Sequence, residues 1–173
     1  ELDKDPSRRQ ARYEALGKII KAIKLEAGDA VEILLENMPV SCCFFGGSWK
    51  SNIVNTGSEL AMLGARYGVG VTLDLCHLFL ACNELRLDYL TELESALKSG
   101  LVRHVHYSDG DGTTGEGLQI GEGTMPLAAA FALVKKYAPG VVAVPEIWFG
   151  HENGGRGFLT AWERTDKLLT KIP

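Results

Sequence analysis

Four side chains that can bind a metal ion or transfer a proton recur along the chain at nearly regular intervals. They are Glu36, Asp74, His106 and Glu146, which follow one another after 38, 32 and 40 residues. Three carboxylates and one imidazole form a mixed oxygen and nitrogen ligand set that suits Mn, Mg, Co or Zn. If the four groups meet in the fold, the sequence predicts a site for a divalent metal.

Alternating strand-like and helix-like segments fill the intervals between these residues. We predict strands over residues 31–36, 70–75, 102–107 and 141–147, so that each of the four residues lies at or near a strand end. Predicted helices cover residues 6–27, 58–67, 88–98 and 126–138 and a last segment that ends at 172, with polar loops over 41–57, 109–123 and 150–157.

This alternation predicts an α/β fold in a single domain over residues 1–173. Strands that are separated by helices pair in parallel through right-handed crossovers, with helices covering the sheet. The C-terminal ends of parallel strands all lie at one edge of the sheet, and α/β folds place their functional sites there. We therefore expect the four candidate ligands to converge at that edge.

The composition is that of an ordinary globular chain. Of 173 residues, 46% are hydrophobic and 23% charged, and the formal net charge is −4, so we expect no nucleic-acid partner. The longest apolar run, residues 125–134, is half of the roughly 20 residues that a membrane-spanning helix needs. Since no charged-then-apolar signal segment opens the sequence either, we expect a cytoplasmic location and no membrane partner.

Five short strings at or near the candidate ligands resemble a known family. They are LEN at 35–37, LDLCH at 73–77, HVHYSD at 104–109, GEG at 121–123 and PEI at 145–147. Together they resemble the C-terminal half of the xylose isomerase-like barrels, over about residues 31–173. That superfamily contains sugar and sugar-phosphate isomerases and epimerases, and also the endonuclease IV group of apurinic-site nucleases (AP endonuclease family 2).

The resemblance implies a role for each strand-end residue. Glu36, Asp74, His106 and Glu146 would hold the catalytic metal, Glu36 and Glu146 would also exchange protons with the substrate from opposite faces, and His77 would contact the substrate. Removal of a proton next to a carbonyl leaves an enediolate, whose negative oxygens a cation stabilises. The implied activity is a metal-dependent isomerase or epimerase in carbohydrate metabolism, acting on a small sugar or sugar phosphate.

Two other functions stay open. In the endonuclease group, a D-x-H pair before the GEG string completes a three-zinc cluster, but the matching positions here are Gly115 and Gly117. Further histidines of that cluster lie on earlier strands, which this sequence does not contain, so cleavage of abasic DNA is the weaker alternative. A binding module that kept the scaffold without catalysis is the third.

Four more residues are candidate substrate contacts, namely Asp109, Glu122, Trp49 and Arg156. Asp109 could reach a second metal or cap its loop, and Glu122 could contact substrate or shape a turn. Trp49 with Lys50, and Trp148 with Arg156, could form a sugar-stacking wall and a phosphate contact, or they could be solvated loop residues.

The length corresponds to about half of a (βα)8 TIM barrel, which takes about 250 residues. One leading helix and four βα units would leave two open sheet edges and an uncovered apolar face. We expect this face to be covered by an N-terminal half-barrel absent from this sequence, by a second copy, or by another chain. Residue 1 is Glu rather than Met, which favours the first of these.

Overall fold

The computed structural model describes residues 5–44 and 47–172, in which helices and strands alternate. The helices are α1 (Pro6–Ala27), α2 (Gly57–Tyr67), α3 (Leu75–Leu85), α4 (Tyr89–Lys98), α5 (Leu127–Tyr137) and α6 (Glu152–Leu169). The strands are β1 (Leu34–Glu36), β2 (Ser41–Phe44), β3 (Gly47–Lys50), β4 (Gly70–Asp74), β5 (Val102–Tyr107), β6 (Asp109–Asp111), β7 (Gly115–Leu118) and β8 (Val142–Pro145). Among the described residues, no helix is both long and apolar enough to span a bilayer.

The main sheet has four parallel strands in the order β1-β4-β5-β8. These are the four strands that the sequence predicts, and the α/β fold class with a parallel, barrel-type sheet is confirmed. Asp74 lies directly across from His106, and Glu36 lies across from Thr72. The remaining strands form two antiparallel hairpins, β2–β3 and β6–β7.

The two faces of this sheet have different surroundings. Val71 and Leu73 of β4 are fully buried in the main core, and a Cβ added at Gly64 of α2 would lie 2.9 Å from the Val71 side chain, so this face packs on helices. Because side chains alternate along a strand, the residues in between line the other face. The inner face carries Glu36, Thr72, Asp74, His104 and His106.

Helix α3 is the largest element that the sequence did not predict. Seven of its eleven residues are buried, so apolar residues occupy nearly every side and the period that marks an amphipathic helix is lost. It follows β4 without a loop, because Asp74 ends the strand and its carboxylate caps the helix by accepting a hydrogen bond from the His77 backbone N–H.

The segments predicted as polar loops also hold more structure than expected. Both hairpins lie within them, where strands of only three or four residues are too short to show a clear hydrophobic alternation. Helix α6 begins inside the predicted loop at 150–157, although residues 153–155 have positive φ angles and interrupt the helix. Strand β8 ends at Pro145, so Glu146 lies one residue beyond it.

A buried asparagine ties the ends of β1 and β4 together. The Asn37 amide donates to the Asp74 carbonyl oxygen at 2.9 Å, and its side-chain oxygen accepts from the Asp74 backbone N–H, also at 2.9 Å. The Asn37 side chain is fully buried, so water cannot replace these bonds. This pair of bonds fixes the two strand ends that carry Glu36 and Asp74.

We predict that Asn37→Ala lowers the free energy of unfolding by about 2–4 kcal/mol, because two buried hydrogen bonds are lost and backbone groups are left unsatisfied. Urea denaturation measures this change. Asn83→Ala is the matched control, since Asn83 is exposed and donates one surface hydrogen bond to the Gly112 carbonyl. A loss for Asn37→Ala no larger than that of the control would contradict the role of Asn37.

Candidate metal centre

The four strand-end side chains meet at one point on the inner face. Glu36 ends β1, Asp74 ends β4, His106 is the penultimate residue of β5, and Glu146 directly follows β8. One ligand atom of each lies within 4.8 Å of those of the other three. The structure therefore brings together all four residues that the sequence singles out, and the group could hold a metal ion.

His106 lies between the two glutamates. Its Nδ1 is 3.1 Å from Oε1 of Glu36 and 3.3 Å from Oε1 of Glu146. The Glu146 backbone N–H donates to the Tyr107 carbonyl at 2.8 Å, which holds the residue after β8 against the end of β5. The two carboxylates thus reach the same imidazole from the two outer strands of the sheet.

Burial and mutual repulsion shift the protonation of these groups. Burial raises the pKa of the Asp74 carboxyl, and the nearby Glu36 charge adds to this. Burial likewise raises the pKa of Glu146, and the charges of Asp74 and Glu36 act in the same direction. The hydrogen bond to Glu36 raises the pKa of His106. A raised pKa means that the group binds a proton more readily, so each shift favours added positive charge at the centre, either as a proton or as a bound cation.

His77 lies beside the four ligands in the first turn of α3. Its Nδ1 is 3.0 Å from the backbone oxygen of Asn37, 3.7 Å from Oδ2 of Asp74 and 3.9 Å from Oε1 of Glu36. Because a carbonyl oxygen only accepts, this contact assigns the hydrogen to Nδ1. The other ring nitrogen, Nε2, is left to face Glu116.

A cleft of about 550 Å³ adjoins the centre. Asp74, His77, Glu116 and Glu146 form its polar side, and Trp148 and Phe158 are among its apolar residues. No lysine or arginine of the described chain lines it. A cleft that combines an apolar wall with a few convergent polar groups is typical of a small-molecule site.

Glu116 is the titratable residue of this cleft that the sequence analysis did not single out. It lies on β7, and its carboxylate is 3.6 Å from Nε2 of His77. Its side chain is only 11% exposed. Glu116 lies between Gly115 and Gly117, the two glycines at the D-x-H positions, but this spacing alone does not predict that its side chain enters the cleft.

Two of the candidate substrate contacts in the loop after β5 have other partners. The Asp109 carboxylate is buried and accepts hydrogen bonds from the backbone N–H groups of Gly110, Gly121 and Met125, at 2.9, 2.9 and 3.2 Å. It therefore closes its own loop. Glu122 is 58% exposed and pairs with Arg164 at 3.0 Å, outside the cleft.

The other candidates lie apart from the centre, with one exception. Trp49 and Arg156 are exposed and do not line the cleft, and Lys50 pairs with Glu84 at 2.6 Å. Trp148 does line the cleft. Neither Lys50 nor Arg156 therefore brings a positively charged side chain to the cleft.

Several solved structures share the fold at low sequence identity. A D-tagatose 3-epimerase-like protein superposes with a TM-score of 0.67 and 20% identity, over 99% of this chain and 60% of that chain. An IolI protein with a bound zinc atom superposes with a TM-score of 0.67 and 17% identity, over 95% of this chain and 57% of that chain. A D-allulose 3-epimerase from Methylomonas sp., in complex with D-allulose, superposes with a TM-score of 0.59 and 15% identity, over 98% of this chain and 57% of that chain. The chain spans somewhat more than half the length of these proteins.

The sequence itself matches one family over most of its length. The family is that of the xylose isomerase-like TIM barrels, and residues 2–166 match it. No curated protein is similar enough in sequence to match the chain. A four-stranded parallel sheet with helices on its outer face is the architecture of part of such a barrel. The chain therefore belongs to the family of xylose isomerase-like TIM barrels.

Proposed function

We propose that the chain carries the catalytic centre of a metal-dependent sugar isomerase or epimerase. The observation that carries the proposal is the convergence of Glu36, Asp74, His106 and Glu146 within 4.8 Å. Two further findings support it. The chain belongs to the xylose isomerase-like family, and it shares its fold with a D-tagatose 3-epimerase-like protein and a D-allulose 3-epimerase. The substrate class would be a small polyhydroxy carbonyl compound.

The donor set fits a divalent cation. Three carboxylates supply negative charge and four ligand atoms are available, a set that suits Mn, Zn, Mg or Co. Without a cation, burial together with the neighbouring carboxylate charges raises the pKa of Asp74 and of Glu146 and so disfavours their ionised forms. When bound, the metal supplies positive charge that stabilises negative charge on the substrate oxygens. Asp74 and His106 would serve as ligands, and Glu36 and Glu146 as ligands that also handle protons.

In this proposal, Glu36 and Glu146 would transfer protons on two sides of one substrate carbon. They extend from the two outer strands of the sheet toward the same imidazole. One carboxylate would take the proton next to the carbonyl, which leaves a planar enediolate, and the other would return a proton to the opposite face. That exchange inverts the configuration at the carbon, as an epimerase requires.

The position of glycines on β7 weighs against an endonuclease with a three-zinc cluster. Gly117 has a φ of +70°, and a Cβ added there would lie 1.8 Å from the Trp148 ring. A histidine ligand at this position would therefore require both a strained backbone and displacement of Trp148. This supports sugar chemistry over cleavage of abasic DNA.

We further propose that additional strands cover the inner face. Val142, on β8, points toward this face and is 61% exposed, and β1 and β8 end the described sheet without neighbours. Open parallel edges and exposed strand valines favour association. An N-terminal half-barrel or a second copy of the chain would supply the missing strands and additional loops around the cleft.

We predict that the dialysed protein binds Mn²⁺ with a measurable thermal shift, since a ligand specific to the folded state raises stability. Asp74→Asn should weaken Mn²⁺ affinity at least tenfold, because it removes a buried charged ligand while its side-chain oxygen can still cap α3. Isothermal calorimetry measures both proteins. Asp111→Asn, at an exposed carboxylate on β6, is the control and should bind like the wild type. Equal affinity in all three proteins would contradict the proposed centre.

We predict that Glu146→Gln lowers exchange of the substrate-carbon proton with solvent by about 10²–10⁴-fold, since it removes one of two proton-transferring groups. NMR detection of deuterium from D₂O in D-allulose, D-tagatose and L-ribulose, with Mn²⁺ present, measures this rate. Glu163→Gln makes the same change on the exposed surface of α6 and should leave exchange intact. Exchange at the wild-type rate in Glu146→Gln would refute the role of Glu146.

A further inference from the structure

The Glu116 carboxylate has an unusual environment for a charged side chain. Its side chain is only 11% exposed, and within the described part of the chain it forms an ion pair with His77 alone. Burial raises its pKa, and the charges of Asp74 and Glu146 add to this. A buried carboxylate without a lysine or arginine costs stability unless the site uses it. Because Glu116 lines the cleft, a ligand bound there would supply the missing hydrogen-bond partner.

His77 presents a complementary atom across a short gap. Because Nδ1 donates to the Asn37 carbonyl, Nε2 is the nitrogen that faces Glu116, and it is 3.6 Å from the Glu116 Oε2 atom. This separation is too long for a good direct hydrogen bond. A hydroxyl oxygen about 2.8 Å from each atom would bond to both when each ring nitrogen of His77 carries a hydrogen, because the hydroxyl then donates to the carboxylate and accepts from the Nε2–H.

The backbone of the β6–β7 hairpin fixes Glu116 in this position. The Trp148 backbone N–H donates to the Gly117 carbonyl at 2.9 Å, and the Trp148 ring occupies the space where a Gly117 side chain would lie. A Cβ at Gly115 would lie 2.7 Å from the Asp111 carbonyl oxygen. The two glycines thus let the hairpin pack closely on both sides while Glu116 extends into the cleft.

We propose that Glu116 and His77 together bind one hydroxyl group of the substrate, and that Glu116 makes this part of the cleft select a free hydroxyl over a phosphate ester. The proposal rests on the proposed sugar isomerase or epimerase function and narrows its substrate to an unphosphorylated ketose. Recognition of a phosphate relies on arginine, lysine or a helix N-terminus. The described residues that line the cleft include no lysine or arginine, and the Asp74 carboxylate already caps the N-terminus of α3 there.

Calorimetry with the Mn²⁺-loaded protein tests this assignment. The probes are D-allulose, D-tagatose and L-ribulose and their terminal phosphate esters, and the variants are Glu116→Gln and, as the surface control, Glu163→Gln. We expect the wild type to bind at least one free ketose at least tenfold more tightly than its ester. Glu116→Gln should weaken ketose binding about tenfold and reduce the discrimination against the ester, because the charge is lost but the shape is kept. Its Mn²⁺ affinity should match that of the control, and its unfolding midpoint should be no lower than that of the control, since the variant removes a buried charge.

The outcomes separate this assignment from the proposed function. If the esters bind as tightly as the free ketoses, or if Glu116→Gln binds both like the wild type, the role of Glu116 is overturned. In that case solvent exchange at the substrate carbon, which depends on Glu146, would still support the isomerase or epimerase function. If no ketose or ester binds and none exchanges a proton, both proposals fail.

Discussion

Electrostatic repulsion among carboxylates that are held at one point is the constraint on which this structure depends. Parallel pairing of β1, β4 and β5, with Glu146 held against the end of β5, brings three acids and His106 to within 4.8 Å. Such a group is unfavourable unless a positive charge lies among its members. The surrounding contacts oppose this cost. Asn37 ties β1 to β4, and Asp74 is fixed further by capping α3.

The same geometry links the centre to the adjoining cleft. The helix that Asp74 caps carries His77 in its first turn, so the candidate metal ligand and the neighbouring imidazole are positioned by one hydrogen bond. The β6–β7 hairpin then places Glu116 across from His77. Trp148, two residues after Glu146, packs on that hairpin. The proposed proton transfer, the proposed substrate contact and the shape of the cleft thus depend on a few adjoining segments.

The sequence was informative where the spacing follows the barrel repeat. Strand ends spaced by one βα unit lie at one edge of a parallel sheet, so the convergence of Glu36, Asp74, His106 and Glu146 could be foreseen. Helix α3 could not, because burial on most sides removes its amphipathic period. Glu116 could not either, because its position depends on how a glycine-rich hairpin packs against Trp148. Similar reasons apply to Asp109, whose three backbone partners come from residues up to 16 positions away.

We propose above all that a single divalent cation binds to all four strand-end residues. Anomalous X-ray scattering from crystals grown with Mn²⁺ tests it most directly, because the signal reports both the identity and the position of the ion. We predict one peak on the inner face, within about 2.3 Å of ligand atoms from Glu36, Asp74, His106 and Glu146. A centre without a peak, or a peak that contacts only one of these four side chains, would contradict the account.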